Sequence, residues 1–301
     1  VLGPLLFTVY IKDVSVVLQR HGLSDQEYAD DICFDVSDKC MGRVVSCLSD
    51  GASALAAWLE SRGLIMNPAK SQVLIIAPRG QRVDDNCTVF CLGATLSRTR
   101  VARYLGVLLD EELSWGPHVD AMLRKVAQRT GALKRARKAI TQRSGRSFYL
   151  GVVQSVLLYG SNAFASTLRA RDRDRITSAS KRALRCIAGA QPLAPSAPLW
   201  RKMQLRPPTE HMLTKLLLLV GRCEHGLCSS LLSSRFVHGT SPYCTRGRAL
   251  DFQIPYVHSR SGANAPLHYS ALLWNELPRE LRQAPTFLSF KSQLINYRAP
   301  C

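Results

Sequence analysis

Residues 26–36 read Gln26-Glu27-Tyr28-Ala29-Asp30-Asp31-Ile32-Cys33-Phe34-Asp35-Val36. Ile32, Phe34 and Val36 alternate with polar or small residues, the period of a half-buried strand. The stretch therefore predicts a strand, a tight acidic bend and a second strand. Its bend, Tyr28-Ala29-Asp30-Asp31, sets two carboxylates side by side on an apolar hairpin. Neighbouring like charges either raise one pKa or sit beside a cation. Oxygen-only ligands at a bend suit hard divalent ions such as Mg²⁺. Successive strand side chains point to opposite faces, so the two aspartates are not equivalent and one is the principal ligand. Two metals about 3.5–4 Å apart, clamping the attacking and leaving oxygens, are a standard solution for phosphoryl transfer. Asp is also a common turn residue, and a polar hairpin tip accounts for the same four residues.

Outward from the bend, elements of both kinds follow, an α+β pattern. Gly3-Pro4 opens a helix expected to run to about Leu18. Met41, Val44, Val45, Leu48, Ala52, Leu55 and Leu59 share one face at helical spacing, and Gly63 closes that helix. Leu64–Met66 and Val73–Ile76 are short strand candidates around the Asn67-Pro68 turn. Thr88–Cys91 and Tyr104–Leu109 look like a further strand pair. From Pro117 the pattern is helical, with Val119, Met122, Val126, Leu133 and Ile140 as the apolar stripe. Further helices are expected over Arg146–Tyr159, Asp172–Ile187, Glu210–Arg222 and Phe287–Tyr297. Prolines at every third position from Pro192 to Pro198 favour an extended linker, and residues 236–270 look irregular.

The 301 residues carry 40 Lys plus Arg against 22 Asp plus Glu, a formal net charge of +18. With 46% apolar and 21% charged residues the chain buries a core, which excludes a wholly disordered tail. Its 10 cysteines are too sparse for a disulfide-built scaffold and read as reduced thiols of an intracellular protein, nuclear or cytoplasmic. No run approaches the ~18 apolar residues of a membrane span. The charge is unevenly placed. Residues 1–120 hold 11 basic and 15 acidic side chains, a net of −4, and residues 121–301 hold 29 and 7, a net of +22. A polyanionic partner held by the second half follows, the plain alternative being a basic surface without a specific partner.

The order Leu2-Gly3-Pro4-Leu5-Leu6-Phe7, Tyr28-Ala29-Asp30-Asp31, Asn67-Pro68-Ala69-Lys70, Tyr104-Leu105-Gly106-Val107 resembles a reverse transcriptase, in particular that of non-LTR (LINE-type) retrotransposons of the jockey and CR1 kind. The four segments look like the end of motif B, catalytic motif C, motif D and primer-grip motif E. Leu157-Leu158-Tyr159-Gly160 and Leu273-Trp274-Asn275-Glu276-Leu277-Pro278 resemble segments that follow the polymerase core in these elements. The resemblance implies a partial palm, an antiparallel sheet with helices, over residues 1–115. A basic helical thumb over 116–190 and a mostly helical or irregular C-terminal region over 191–301 come after it.

It further implies RNA-directed DNA polymerase activity with two Mg²⁺, an RNA template, a DNA primer and deoxynucleoside triphosphates. Asp30 would be the principal ligand of both ions and Asp31 the second carboxylate. Lys70 would sit near the triphosphate and protonate the departing pyrophosphate, the plain alternative being a solvated turn lysine. Gly3 and Pro4 would lie near nucleotide and template, and Tyr28 and Ala29 under the primer terminus. Tyr104, Leu105 and Gly106 would hold the primer end, or form a plain hairpin core. Arg124, Lys125, Lys134, Arg135, Arg137 and Lys138 would neutralise duplex phosphates. The family's motif A Asp and the Gln-Gly opening motif B have no counterpart here. Val1 in mid apolar run reads as the start of a fragment, expected to polymerise nothing alone. The other reading is a remnant that binds nucleic acid through its basic half without catalysis. Cys223, His225 and Cys228, with His238 and Cys244, offer soft metal ligands whose spacing fits no finger pattern.

Overall fold

The computed structural model describes residues 2–78, 87–139, 141–239, 251–257 and 260–297. It is a mixed chain of helices and small sheets, in two compact units, Val1–Leu113 and Ser114–Cys301.

In the first unit, α1 (Gly3–Ile11) and α2 (Val14–Gln19) replace the single helix expected from Pro4 to Leu18. The break falls at Lys12-Asp13, where Asp13 precedes α2 and meets Arg62 at 3.5 Å. Aspartate competes with helical backbone bonding and favours such a junction. Strands β1 (Ser24–Tyr28) and β2 (Asp31–Asp35) pair antiparallel around the acidic bend, as their alternation predicts. Helix α3 (Met41–Ser61) buries Ala52, Leu55 and Leu59. Leu55 and Leu59 pack with Ile11, Val14, Leu18 and Leu23, while Ile32 and Phe34 seal the hairpin onto that core.

The remaining strands are short: β3 (Gln72–Val73), β4 (Phe90–Cys91), β5 (Ala94–Thr95), β6 (Ser97–Arg98), β7 (Val101–Tyr104) and β8 (Val107–Asp110). Among the described residues they form four separate two-stranded ladders, β1–β2, β3–β6, β4–β5 and β7–β8, not one sheet. All but the parallel β3–β6 are antiparallel. One cause is visible at Phe90 and Leu92. Their backbone N–H groups donate to the hydroxyls of Ser49 and Ser53 on α3, at 3.0 and 3.1 Å, leaving no ladder for another strand. The strands expected at Thr88–Cys91 and Tyr104–Leu109 are present in shorter form, the second interrupted by a turn. Each stretch belongs to its own hairpin, turning at Leu92-Gly93 and Leu105-Gly106 with all four φ values positive, from 45° to 82°. That is the two-residue turn whose twist suits a hairpin. Leu64–Met66 forms no strand.

The second unit is helical: α4 (Gly116–Ala136), α5 (Gln142–Phe148), a π-helical turn (Tyr149–Gln154), α6 (Ser155–Leu158), α7 (Ser161–Phe164), α8 (Ala170–Ala188), α9 (Ser196–Lys202) and α10 (Pro208–Glu224). After these come α11 (Ser230–Ser233), α12 (Arg260–Ala263), α13 (Pro266–Asn275), α14 (Arg279–Arg282) and α15 (Phe287–Asn296). Helix α4 buries Val119, Met122, Val126 and Leu133 against α8; Ile140 of the expected stripe lies outside the described residues. The proline-rich stretch is a turn, Ala194 N–H to Gln191 carbonyl at 3.0 Å, leading straight into α9, and not an extended linker. Arg185 Nε clamps the Ala194 carbonyl at 2.8 Å. Within residues 236–270, α13 supplies order that the sequence reading lacks. Its Trp274 joins Val220, Phe252, Leu281 and Phe290 in a core built on α10.

Candidate functional site

The β1–β2 hairpin sorts its side chains into two faces. Asp25, Glu27, Ile32 and Phe34 are half-buried, and Ser24, Gln26, Tyr28, Asp31, Cys33 and Asp35 are exposed. Tyr28 pairs with Asp31, which leaves Ala29 and Asp30 as the turn. Ala29 takes φ 54°, the left-handed region that disfavours a side chain. Asp30 thus stands at the tip and Asp31 on the open face, both exposed. The two are inequivalent as a turn residue and a strand residue, not as neighbours within one strand. On the inner face Ser15 of α2 donates to Asp25 Oδ2 at 2.5 Å. Burial, and then Asp25, raises the Glu27 pKa, with the Ser15 hydrogen bond opposing.

Tyr104, last residue of β7, feels the charges of the open face. Its hydroxyl is held above the ordinary phenol value by burial first, then by Cys33 and Asp31. Asp31 and Tyr104, from two segments 73 positions apart in sequence, are thereby electrostatically linked. Leu105 and Gly106 form the tip of the β7–β8 turn. Lys70 is exposed in a turn closed by Asn67, whose Oδ1 accepts from Ala69 N–H at 3.0 Å. No described hydrogen bond or ion pair joins Lys70 to the carboxylates. Gly3 and Pro4 are exposed in the first turn of α1, whose Leu5, Leu6 and Val9 are also exposed, as is Leu2 before it.

Among the described residues no group of three or more His, Cys, Asp or Glu could hold a metal ion. The carboxylate pair is thus two donors. Cys223, His225 and Cys228 do not form a ligand set either. The Cys223 thiol is pushed up to about 12 by burial and then by Cys228. His225 packs on the Phe287 and Phe290 rings. His238 sits 3.1 Å from the Glu224 carboxylate, and Cys244 lies outside the described residues.

On α4, Arg124, Lys125, Lys134 and Arg135 are exposed. Arg137 is engaged differently: its Nε donates to the Cys186 carbonyl at 3.0 Å, at the C-terminus of α8. A cation there complements the helix dipole. The side chain of Lys138 lies outside the described residues. The expected site residues omit the outer side of α8, where Arg171, Arg175, Ser178 and Arg182 recur at i, i+4, i+7 and i+11. That spacing marks one helix face and was readable in the sequence.

Comparison with known proteins gives the class first. The chain is similar to RNA-directed DNA polymerases of transposable elements. It is 28% identical over 200 residues to the "Probable RNA-directed DNA polymerase from transposon BS" of Drosophila melanogaster, covering 62% of this chain and 21% of that protein. To the "RNA-directed DNA polymerase from mobile element jockey" of Drosophila funebris it is 25% identical over 198 residues, covering 63% and 21%. To the "Retrovirus-related Pol polyprotein from type-1 retrotransposable element R1 2" of Nasonia vitripennis it is 24% identical over 139 residues, covering 44% and 33%. The similarity is thus to polymerases of transposable elements, two of them of the jockey element. The chain spans about a fifth of the length of the first two relatives. No family model matches it, and no solved structure does. No described helix is long and apolar enough to cross a membrane.

Proposed function

We propose that the chain is the part of an RNA-directed DNA polymerase that carries the carboxylate hairpin of the reaction centre, followed by a basic unit that holds template and primer. The observation that carries this is the Asp30-Asp31 pair, presented at the tip and open face of a hairpin with Tyr104 electrostatically linked to Asp31, in a relative of transposon polymerases. Asp30 and Asp31 are hard oxygen donors of the kind Mg²⁺ takes, and Mg²⁺ binds through one or two carboxylates together with substrate phosphates. The pair fits such an ion. When bound, Mg²⁺ favours ionisation of the attacking primer hydroxyl and neutralises charge on the leaving phosphates.

The chain's own residues then bind and orient. Tyr28 and Ala29 lie under the primer terminus, and Tyr104, Leu105 and Gly106 hold the primer end. Gly3 and Pro4 border the incoming nucleotide and template. Lys70, on its exposed turn, gives a proton to the departing pyrophosphate. Arg124, Lys125, Lys134 and Arg135 neutralise backbone phosphates, which positions the duplex and carries no base information. Arg137, committed to the Cys186 carbonyl, holds α8 in place instead.

Two carboxylates do not complete a two-metal centre, so the 301-residue chain by itself extends no primer. The test is primer extension on an RNA template with Mg²⁺, comparing the chain with Asp30→Asn. Equal absence of product is expected. Incorporation by the chain, lost on Asp30→Asn, would show that its own residues complete the centre.

A further inference from the structure

Helices α4 and α8 pack against each other and leave an open groove of about 880 Å³ on their outer side. Its charged lining is Arg124 and Asp120 from α4 with Arg171, Asp174, Arg175 and Arg182 from α8. We infer that this groove is a track for the phosphodiester backbone of one nucleic-acid strand, with Arg124, Arg171 and Arg182 as its phosphate ligands. The inference rests on the nucleic-acid reading of the basic unit given above and adds a site on α8 to it.

The groove is preformed. Arg175 bridges its two walls, Nη2 to Asp120 Oδ1 at 2.6 Å on α4 and Nη1 to Asp172 Oδ1 at 3.0 Å on α8. Arg175 therefore acts as a positioning residue, and both carboxylates are already paired. Arg124, Arg171 and Arg182 are exposed and have no hydrogen-bond or ion-pair partner among the described residues. Guanidinium forks match phosphate oxygens in pairs. Three cations on two packed helices, whose axes lie about 8–10 Å apart, offer a path for a strand edge rather than a seat for a whole duplex.

The groove's apolar floor, Leu123 and Ala127, has no aromatic side chain on which a base could stack. Binding should therefore be indifferent to base identity. Asp174 is the one exposed, unpaired carboxylate in the lining. It opposes phosphate binding, so its removal works in the direction opposite to loss of an arginine.

Fluorescence anisotropy of the intact chain with a labelled single-stranded RNA of mixed sequence, titrated from low to high salt, tests this. The groove variant Arg124→Gln/Arg171→Gln/Arg182→Gln should weaken binding at least tenfold. It should also reduce the salt slope by about 2, near 0.7 per phosphate for a single strand. A control of equal charge, Arg201→Gln/Lys202→Gln/Lys291→Gln, should keep the slope, and Asp174→Asn should tighten binding two- to threefold. Oligouridine and oligocytidine should compete within about twofold of each other. If the groove triple behaves like the control, or Asp174→Asn weakens binding, the groove assignment is wrong while the reading of a basic nucleic-acid unit stands. If the unaltered chain binds no RNA or template–primer duplex at all, both fall. Should the triple variant fail to fold, the three single Arg→Gln variants and Asp174→Asn carry the same decision.

Discussion

Gly221 sits in α10 beneath the Phe290 ring, and the Gly221→Ala variant probes whether residues 208–296 share one close-packed core. A Cβ at position 221 would lie 2.3 Å from Phe290 Cε1 and 2.6 Å from Cδ1. Carbon atoms pack from about 3.5 Å, so the ring must retreat by roughly 1 Å. It has nowhere to go. Phe290 is fully buried, with the Trp274 ring centroid at 5.3 Å and that of His225 at 6.5 Å. Overpacking of this kind costs about 1–3 kcal/mol. Alanine in a helix interior returns about 1 kcal/mol relative to glycine. The net expectation is a loss of about 1 kcal/mol, with Gly221→Ala/Phe290→Leu recovering most of it. Gly131→Ala in α4 isolates the propensity gain, because its nearest neighbour is the flexible Arg135 Nη1 at 3.8 Å. It should stabilise by up to about 1 kcal/mol. Urea unfolding followed by tryptophan fluorescence reads the pair. If Gly221→Ala proves as stable as Gly131→Ala, Phe290 is not seated on α10 and the packing account of the C-terminal region fails.

Other perturbations have equally direct outcomes. Ala29→Gly should leave the β1–β2 hairpin unchanged or steadier by up to about 1 kcal/mol, since glycine accepts φ 54° without the left-handed penalty. Ala29→Val should destabilise it by about 1–2 kcal/mol; amide exchange at Glu27 and Ile32 reports both, and equal exchange rates would contradict the turn geometry. Arg137→Met removes the bond to the Cys186 carbonyl and should cost about 1–3 kcal/mol while leaving the salt slope of RNA binding intact; a changed slope would return Arg137 to the phosphate ligands. His211 has its pKa lowered by burial, then by Arg206 and Lys215, and its Nδ1 accepts from Gln154 Nε2 at 2.9 Å in the neutral ring. A depressed folded-state pKa means the stabilisation is full above the unfolded value of about 6.5 and is lost as pH falls below it. The urea midpoint should therefore drop from pH 8 to pH 5.5, and less so in His211→Gln; a midpoint that rises on acidification would refute the burial argument.

Much of this was legible from residue pattern, and the failures have identifiable causes. The α3 stripe, the α4 stripe and the β1–β2 alternation appear where apolar periodicity places them, because each element has one buried face. The Leu92-Gly93 and Leu105-Gly106 turns were missed because leucine occupies a left-handed position where asparagine, aspartate or glycine is the usual sign. The Pro192–Pro198 stretch reads as a spacer until Arg185 is seen holding Ala194, a contact that only the fold creates. At the candidate site, the carboxylates and Tyr104 stand in short motifs. Their electrostatic linkage depends on where the β7–β8 hairpin lands, which no local pattern encodes. Net charge pointed to a polyanion but could not tell a phosphate ligand from a carbonyl cap. Arg124 and Arg137 lie on one basic run, yet Arg124 lines the α4–α8 groove while Arg137 donates to the Cys186 carbonyl.

We propose that Asp30 and Asp31 form the metal-binding pair of an RNA-directed DNA polymerase. The most direct test is primer extension on an RNA template, with Mg²⁺ present, by this chain joined to the upstream part of a transposon RNA-directed DNA polymerase that it resembles. Extension should appear in the joined protein and fall by at least about 10³-fold in Asp30→Asn, while template–primer affinity stays within about twofold. Extension that survives Asp30→Asn at full rate would place the chemistry elsewhere and contradict the account.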